Sequence, residues 1–282
     1  MTTAYPHSRG RLVTALLFVA LLAGGYHLSP VTVPEPFARA RPVQYPQHSY
    51  HIPDASAVGV PNFGAIKDVQ LRKKTFLDFL QPFVDAKNNE VRMQRRRLEL
   101  IAAKLQRGQR LRQDENRFLW DLALNYEVKT DDLHDEGFID RLLHRVDILP
   151  PSLVLAQAAN ESAWGTSRFA KEGNNFFGQW CYQEGCGLVP VRRRANASHE
   201  VKSFSSIEES VSAYFRNLNT NPGYQDLRLT RQALRSKEQP IDGISLTEGL
   251  ERYSERGEAY VDDLQRMIYR NNLLNRDRTL YP

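Results

Sequence analysis

Near the middle of the chain, residues 153–159 are apolar or small, with almost no polar position among them. A helix that is apolar nearly all the way round is a buried one, so the pattern predicts a buried helix. Pro150 and Pro151 suit its first turn, where the N–H that proline lacks is not needed, and Ser152 can cap it. Gly165 supplies the stop signal. We expect the rest of the chain to be organised around this helix.

A long helical pattern precedes this stretch, from Lys67 to about Gln106. Pro82 is expected to kink or divide the first of its helices, and Gly108 to close the second. Thirteen Lys/Arg stand against five Asp/Glu between Lys67 and Arg112. They indicate two solvated helix faces or, alternatively, a surface that follows an anionic glycan or phospholipid head groups. The apolar positions at helical spacing are Val69, Phe76, Phe79, Leu80 and Phe83 on one face, and Val91, Leu98, Ile101, Ala102 and Leu105 on another.

Two shorter amphipathic helices are predicted at 114–126 and 131–145, just before the buried helix. Asp131 or Asp132 is expected to cap the second of them. We expect both helices to pack against the domain that follows rather than to form a separate unit.

Beyond the buried helix, the pattern changes to turns, short strands and then helices again. The aromatic segment 176–180 is strand-like, and residues 188–204 are expected to form the second strand and the return of a β-hairpin lobe. Ser205 or Ser206 begins the next helix as its N-cap. Further helices are predicted at 226–238, 245–253 and 258–271.

The N-terminus carries a targeting pattern. Arg9 and Arg11 precede an apolar run at 12–23, which has the length of a signal peptide. That run is short for a membrane-spanning helix, which needs about 20 residues. We assign residues 1–26 to a signal anchor or signal peptide, favour an uncleaved anchor, and predict that everything after it is exported. Seven prolines without a helical period follow, and residues 27–66 are assigned to a Pro-rich linker.

Composition narrows the class of protein. The 282 residues allow a catalytic domain and a smaller part, and 41% hydrophobic content is enough for a packed core. A formal charge of +5 suits an acidic polymer, such as nucleic acid, anionic lipid or peptidoglycan. No phosphate-binding glycine loop or RNA-binding aromatic motif is present, so no nucleic-acid partner is expected. His134, His144 and His199 lack ligand spacing, and we expect no metal and no cofactor.

Glu161 lies at the C-terminal end of the predicted buried helix, with Trp164 three residues further on. Burial disfavours the charged form of a carboxyl group and raises its pKa, which makes a Glu a proton donor near neutral pH. The alternative is a structural Glu in an ion pair, because buried carboxylates are usually paired. The residue types alone leave both interpretations open.

Residues 156–167, AQAANESAWGTS, resemble the catalytic signature of the glucosaminidase family that cleaves peptidoglycan, glycoside hydrolase family 73. Residues 174–178, NNFFG, are similar to the N-N-L-F-G segment of that family. The resemblance implies an α+β fold that is mostly α, with a lysozyme-like catalytic domain and a small β-hairpin lobe. We assign this domain to residues 146–282 and the helical extension before it to residues 67–145.

The resemblance also implies roles for particular residues. Glu161 would protonate the leaving glycosidic oxygen, and Tyr253 would face the cleft near it, orienting substrate or polarising the attacking water. The segment around Tyr253 has an extra residue and lacks the D-P of the family, and the alternative is a buried tyrosine with a local hydrogen bond. Aromatic residues are core by default, but in this family they also line the sugar cleft. Substrate contacts are expected at Trp164, Asn175, Phe177, Trp180 and Tyr214.

Glycoside hydrolysis usually needs a second carboxylate. Glu200 and Glu184 are the candidates on the predicted hairpin, and we assign Glu200 to catalysis. Arginines 192–194 occupy the part of the hairpin where relatives can carry an acid, so the chain departs from the family pattern there. A substrate-assisted mechanism, with the substrate acetamide as nucleophile, is the alternative, and Glu200 is then a solvated strand residue.

Cys181 and Cys186 are the only cysteines of the chain. In an exported protein, this pair predicts a small disulfide loop that staples a hairpin tip. Two free thiols in a cytosolic protein are the alternative, against which the N-terminal segment argues.

The sequence and the resemblance together predict hydrolysis of the β-1,4 bond after N-acetylglucosamine in peptidoglycan. The expected partners are glycan strands and, through the N-terminal segment, the inner membrane, with a periplasmic location. Two alternatives stay open: a lytic transglycosylase, which releases anhydro-muramoyl ends, and a non-catalytic wall-binding or scaffold module. The oligomeric state is also open.

Overall fold

The computed structural model describes residues 59–191 and 198–280. The predicted targeting segment, most of the Pro-rich linker and the arginines 192–194 lie outside these residues. Within the described ranges, no helix combines the length and the apolar character that crossing a membrane requires. The helices are α1 (Val69–Gln106), α2 (Gln113–Asn125), α3 (Glu136–Arg145), α4 (Pro151–Ser162), α5 (Arg168–Gly173), α6 (Ile207–Thr220), α7 (Gln225–Ser236), α8 (Gly243–Thr247) and α9 (Glu258–Arg270).

The fold is mostly α with one small antiparallel sheet, which confirms the prediction of an α+β fold that is mostly α. The sheet has the strand order β1-β3-β2, formed by β1 (Trp180–Cys181), β2 (Gly187–Leu188) and β3 (Glu200–Lys202). Trp180 and Leu188 both lie opposite Val201. The prediction of a strand at 176–180 is wrong for most of its length, because the chain forms a bend and reaches the sheet only at Trp180.

Helix α4 lies at the centre of the core and packs against α1, α8 and α9. Its residues from Pro151 to Ala159 are all buried, as the apolar pattern predicts. The prediction that Ser152 caps the helix is wrong, since the N-cap is Pro150 and lacks a side-chain hydrogen bond. Asp277, near the C-terminus, takes that role instead: its Oδ1 accepts from the Ser152 amide at 2.7 Å and its Oδ2 from the Ser152 hydroxyl at 2.7 Å.

Helix α1 runs as one element of 38 residues through Pro82, so this proline does not divide it. Its buried face belongs to the same hydrophobic core as α4. The buried apolar residues of α1 are Phe76, Leu77, Leu80, Phe83, Val84, Val91, Leu98, Ile101 and Ala102. The helical extension therefore shares its core with the domain that carries Glu161.

A buried ion cluster joins three parts of the chain just before α4. Asp147 lies 3.2 Å from Arg95 of α1 and 3.7 Å from Arg231 of α7, and Arg235 of α7 also pairs with it. Burial alone would raise the pKa of the Asp147 carboxyl, but the charges of the three arginines hold that pKa far below its ordinary value. The cluster fixes the segment from which α4 begins.

The cap of α3 differs from the prediction. Asp135, rather than Asp131 or Asp132, is the N-cap, and its carboxylate accepts from the amides of Gly137 and Phe138. Asp132 instead accepts from the amide of His134 within the preceding turn.

Candidate active site

Glu161 occupies the last turn of α4, where the helix is broken by consecutive left-handed residues. Ala163, Trp164 and Gly165 have φ values of 50°, 59° and 73°. A side chain at Gly165 has no room, because its Cβ would lie 2.3 Å from the Phe63 ring. The buried helix thus ends abruptly and presents Glu161, which is partly buried, to a cleft.

Two donors bind the Glu161 carboxylate. Its Oε1 accepts from the Tyr260 hydroxyl at 2.8 Å and from the Asn160 side-chain amide at 3.2 Å. Burial raises the pKa of Glu161 above its ordinary value, while both hydrogen bonds and the Arg256 charge act against that rise. The net direction is upward, which increases the protonated fraction near neutral pH.

A chain of buried hydrogen bonds orients the Tyr260 hydroxyl that binds Glu161. The Gln157 side-chain amide donates to the Tyr260 hydroxyl at 2.9 Å, so the proton of that hydroxyl is directed to Glu161. The Gln157 carbonyl oxygen accepts in turn from the hydroxyl of Tyr214. Tyr260 was not singled out from the sequence, although it ends the segment that begins at Tyr253. Tyr260 is identified as a site residue only from the packing of α9 beside α4, which no local sequence pattern predicts.

The cleft next to Glu161 has a volume of about 560 Å³. Gly178 forms part of its wall with a φ of 64°, and a Cβ there would lie 3.1 Å from the Glu161 carboxylate. Glycine therefore lets the backbone approach the carboxylate closely. The residues that line the cleft are Glu161, Phe177, Gly178, Gln179, Trp180, Asn217, Tyr224, Tyr253, Ser254, Glu255 and Arg256.

Of the residues assigned to the site from sequence, Glu161, Phe177, Trp180 and Tyr253 line the cleft together. Trp180 is 54% exposed, and one face of its ring stacks on His199 with ring centroids 4.2 Å apart. This stacking fixes the orientation of the Trp180 ring. Tyr253 does not bind Glu161. Its hydroxyl donates to the carbonyl oxygen of Phe177 at 2.7 Å, which fixes the backbone leading to Trp180.

The other predicted substrate contacts lie elsewhere. Trp164 is not among the residues that line the cleft, and its ring packs edge-on against Phe76 of α1. Asn175 is buried and has a structural role: its side-chain amide donates to the carbonyls of Gln179 and Lys202, and its Oδ1 accepts from backbone amides. Tyr214 is fully buried and acts through Gln157.

Glu200, assigned to catalysis from sequence, has a different environment. It is buried on β3, and its carboxylate accepts from the amides of Gly185 at 3.1 Å and Gly187 at 2.7 Å. Gly185 lies in the loop closed by the disulfide between Cys181 and Cys186, and Gly187 follows that loop as the first residue of β2. Glu200 is not among the residues that line the cleft, and it holds the disulfide loop in place.

Cys181, Cys186 and Glu200 also place their ligand-type atoms within 4.8 Å of one another. The disulfide takes both sulfurs out of the thiolate form that binds metal ions. Glu184, the other hairpin candidate, lies exposed in the same loop and does not line the cleft.

Comparison with known proteins supports the resemblance found in the sequence. A sequence model of the glucosaminidase family, described as mannosyl-glycoprotein endo-β-N-acetylglucosaminidase, matches residues 138–273. The chain is 34% identical to Protein bax of Escherichia coli (strain K12) over 228 residues, which cover 81% of this chain and 80% of that protein. No solved structure matches the chain significantly.

The chain therefore belongs to the glucosaminidase family, a class of peptidoglycan-related glycosidase-type proteins. Its similarity to Protein bax spans more residues than the family match and so includes helices that precede residue 138. The family predicted from residues 156–167 and 174–178 is confirmed.

Proposed function

We propose that the chain hydrolyses the β-1,4 bond after N-acetylglucosamine in peptidoglycan glycan strands, with Glu161 as the general acid. One observation carries the proposal: a carboxyl group with a raised pKa lies at the wall of a cleft and is oriented by the Tyr260 hydroxyl. A proton donor of this kind is what departure of a glycosidic oxygen requires near neutral pH.

The walls of the cleft suit a sugar substrate. The exposed face of Trp180 offers a flat apolar surface on which the C–H face of a pyranose ring can stack. Asn217 and Gln179 add amide groups that can bind sugar hydroxyls or the acetamide. In this proposal Tyr253 is a positioning residue, because its hydroxyl holds the Phe177 carbonyl.

The second carboxylate is assigned to Glu255 in this proposal, in place of Glu200. Glu255 is the other carboxylate among the residues that line the cleft, whereas Glu200 is bound to loop amides. Glu255 accepts a proton from a water molecule, and the oxygen of that water attacks the anomeric carbon. Glu161 gives its proton to the departing oxygen, so the glycosidic bond breaks as the new C–O bond forms.

The general acid is tested by digesting purified peptidoglycan with the full chain and analysing the new ends by mass spectrometry. We expect reducing N-acetylglucosamine ends, and a loss of rate by about 10²-fold or more in Glu161→Gln. Glu172→Gln, which changes an exposed glutamate of α5, is the control and should keep the activity. Anhydro ends would assign the chain to the transglycosylases. Binding to peptidoglycan without release by the unchanged chain would favour a scaffold.

The second carboxylate is tested with Glu255→Ala in the presence of azide. Azide is a small anionic nucleophile that needs no base, so it should restore bond cleavage and yield a glycosyl azide. Glu251→Ala and Glu200→Gln are the controls, and neither should show azide rescue. Full activity of Glu255→Gln without azide would contradict the assignment and favour nucleophilic assistance by the substrate acetamide.

Export and attachment to the inner membrane also belong to the proposal. They rest on the basic residues and apolar run of the N-terminal segment, together with a peptidoglycan substrate that lies outside the cytoplasm. Fractionation of cells, with protease accessibility in spheroplasts, tests them. Recovery in the cytosol with protection from protease would contradict this location.

A further inference from the structure

A second cavity lies beside the junction of α2, α3 and α7, with a volume of about 610 Å³. We call it the basic cavity, because its charged lining residues are Lys129, Arg141, Arg145 and Arg228 against Glu127 and Asp140. The lining carries more positive than negative charge, which favours an anionic ligand.

Arg228 is the feature of this cavity that calls for a ligand. Its side chain is 3% exposed, and its Nη1 donates to the carbonyl oxygens of Leu218 and Asn221. In the part of the chain that the structure describes, its Nε has no hydrogen-bond partner and no carboxylate forms an ion pair with it. Burial and the neighbouring Arg145 lower the pKa of Arg228 to about 10. A buried cation without a counterion is costly.

Of the other cations of the basic cavity, Arg141 pairs with Asp135 at 3.5 Å, whereas Arg145 and Lys129 are without a carboxylate partner among the described residues. Arg145 donates to the backbone carbonyls of Tyr126 and Glu127 rather than to a carboxylate. Lys129 is exposed, and no ion pair involving it is found within residues 59–191 and 198–280. An incoming carboxylate therefore meets positive charge that the protein itself does not neutralise.

The basic cavity is close to the candidate active site. Pro222 and Gln225 line the cavity, and Tyr224, between them in the chain, lines the catalytic cleft. Lys129 precedes the residues that the family model matches, so the cavity combines the helical extension with the family domain. A polymer bound in the cleft can reach it with a side branch.

We propose that the basic cavity binds a free carboxylate of the peptide side chains of peptidoglycan. The proposal rests on the proposed function, since the same strand then occupies the cleft with its sugars and the cavity with its peptide. Charge favours a peptide over a phosphate. Asp140 and Glu127, which also pairs with Arg216, repel a dianion, whereas a peptide offers single carboxylates and an amine that can donate a hydrogen bond to Asp140.

A neighbouring groove extends the cavity in a way that fits a peptide. It has a volume of about 1050 Å³ and shares Glu127, Val128, Lys129 and Arg141 with the basic cavity. Its wall includes Trp120, which is 52% exposed and offers an apolar surface to the peptide chain.

Binding is measured first, by calorimetry of the full chain with the tetrapeptide that an amidase releases from peptidoglycan. We expect binding that weakens about threefold to fivefold in Lys129→Gln, the value of one partly exposed charge pair. Arg228→Gln should weaken it further, and Lys237→Gln, an exposed lysine on α7's C-terminal side, should leave it unchanged. A tetrapeptide with amidated carboxylates should not bind. Equal binding of inorganic phosphate, or binding unaffected by Lys129→Gln, would overturn the proposal.

Hydrolysis is measured second, on intact peptidoglycan and on glycan strands whose peptides an amidase has removed. In Lys129→Gln we expect KM to rise about threefold to fivefold on intact material, with kcat unchanged and no change on peptide-free strands. An equal change on both substrates would contradict a peptide site. If neither substrate is cleaved by the unchanged chain, the proposed function fails, while the calorimetry still decides whether the cavity binds the peptide.

Discussion

At the scale of single residues, the chemistry of Glu161 depends on one hydroxyl. The Tyr260 proton is directed to the carboxylate because Gln157 occupies the acceptor side of the same oxygen. The hydrogen bond favours the charged form of Glu161, so it lowers a pKa that burial raises. The balance of these two effects sets the pH range in which Glu161 can donate a proton.

Tyr260→Phe removes that hydrogen bond and should raise the pKa of Glu161 further. A general acid acts while it is protonated, so the basic limb of the pH–rate profile should move to higher pH. We expect kcat to fall about tenfold, the equivalent of about 1.4 kcal/mol for one hydrogen bond to a charged group. Tyr269→Phe, an exposed tyrosine of the same helix, is the control. A basic limb that moves to lower pH would contradict this account.

Glu161→Gln should make the protein more stable at neutral pH. The folded pKa of Glu161 lies above its ordinary value of 4.5, so the folded state binds the proton more tightly than the unfolded state. Ionisation therefore costs stability as pH rises from 4.5 through the folded pKa. The melting temperature of Glu161→Gln should exceed that of the unchanged chain at pH 7, and the difference should vanish below pH 4.5. A difference that persists in acid would exclude this cause.

At the scale of elements, the site depends on how α4 begins and ends. Its end is set by the left-handed residues 163–165, of which Gly165 packs against the rings of Phe63 and Phe76. Its beginning is held by Asp277 and by the cluster around Asp147. Asp277 and the arginines that bind Asp147 are distant from α4 in the sequence, so α4 is held in place by other parts of the chain.

Asp147→Asn should destabilise the fold by about 3–5 kcal/mol, because it leaves buried arginines without their counter-charge. Urea unfolding at pH 7 measures the loss. Since the pKa of Asp147 is depressed, its contribution is present above its ordinary pKa of 3.8 and is lost as pH falls through and below that value. Lys74→Ala, which breaks a pair with exposed Asp78, should cost less than about 1 kcal/mol. Similar costs for both variants would contradict the role of the cluster.

At the scale of the whole molecule, the helical extension and the family domain have one core. The family match begins at residue 138, but α1 supplies buried residues that contact the same core as α4. The ring of Phe76 in α1 contacts both Trp164, just after α4, and Phe176, which precedes the cleft residues Phe177 and Gly178. The part of the chain that defines the family is therefore not the whole folding unit.

Residues 138–282 alone should fail to unfold cooperatively, because removal of α1 exposes the core that surrounds α4. We expect binding of a hydrophobic dye and a broad thermal transition, the marks of lost packing. Residues 59–282 are the control and should melt cooperatively. A sharp transition of the short fragment at the same temperature would show that the extension is dispensable.

The apolar run at 153–159 by itself determined the buried helix, because a helix without a polar face is stable only in the protein interior, away from water. The spacing of apolar residues likewise determined that residues 69–106 are helical, though not that they form a single helix, and the motif around Glu161 determined the family. Register in the sheet, the cap of α4 and the partner of Glu161 were decided by tertiary structure alone. Tyr260 and Glu255 reach the site, and Asp277 reaches the start of α4, over long sequence separations, and these positions depend on how helices pack. The partners of Glu200 were decided in the same way, since β3 directs its carboxylate to the amides of Gly185 and Gly187.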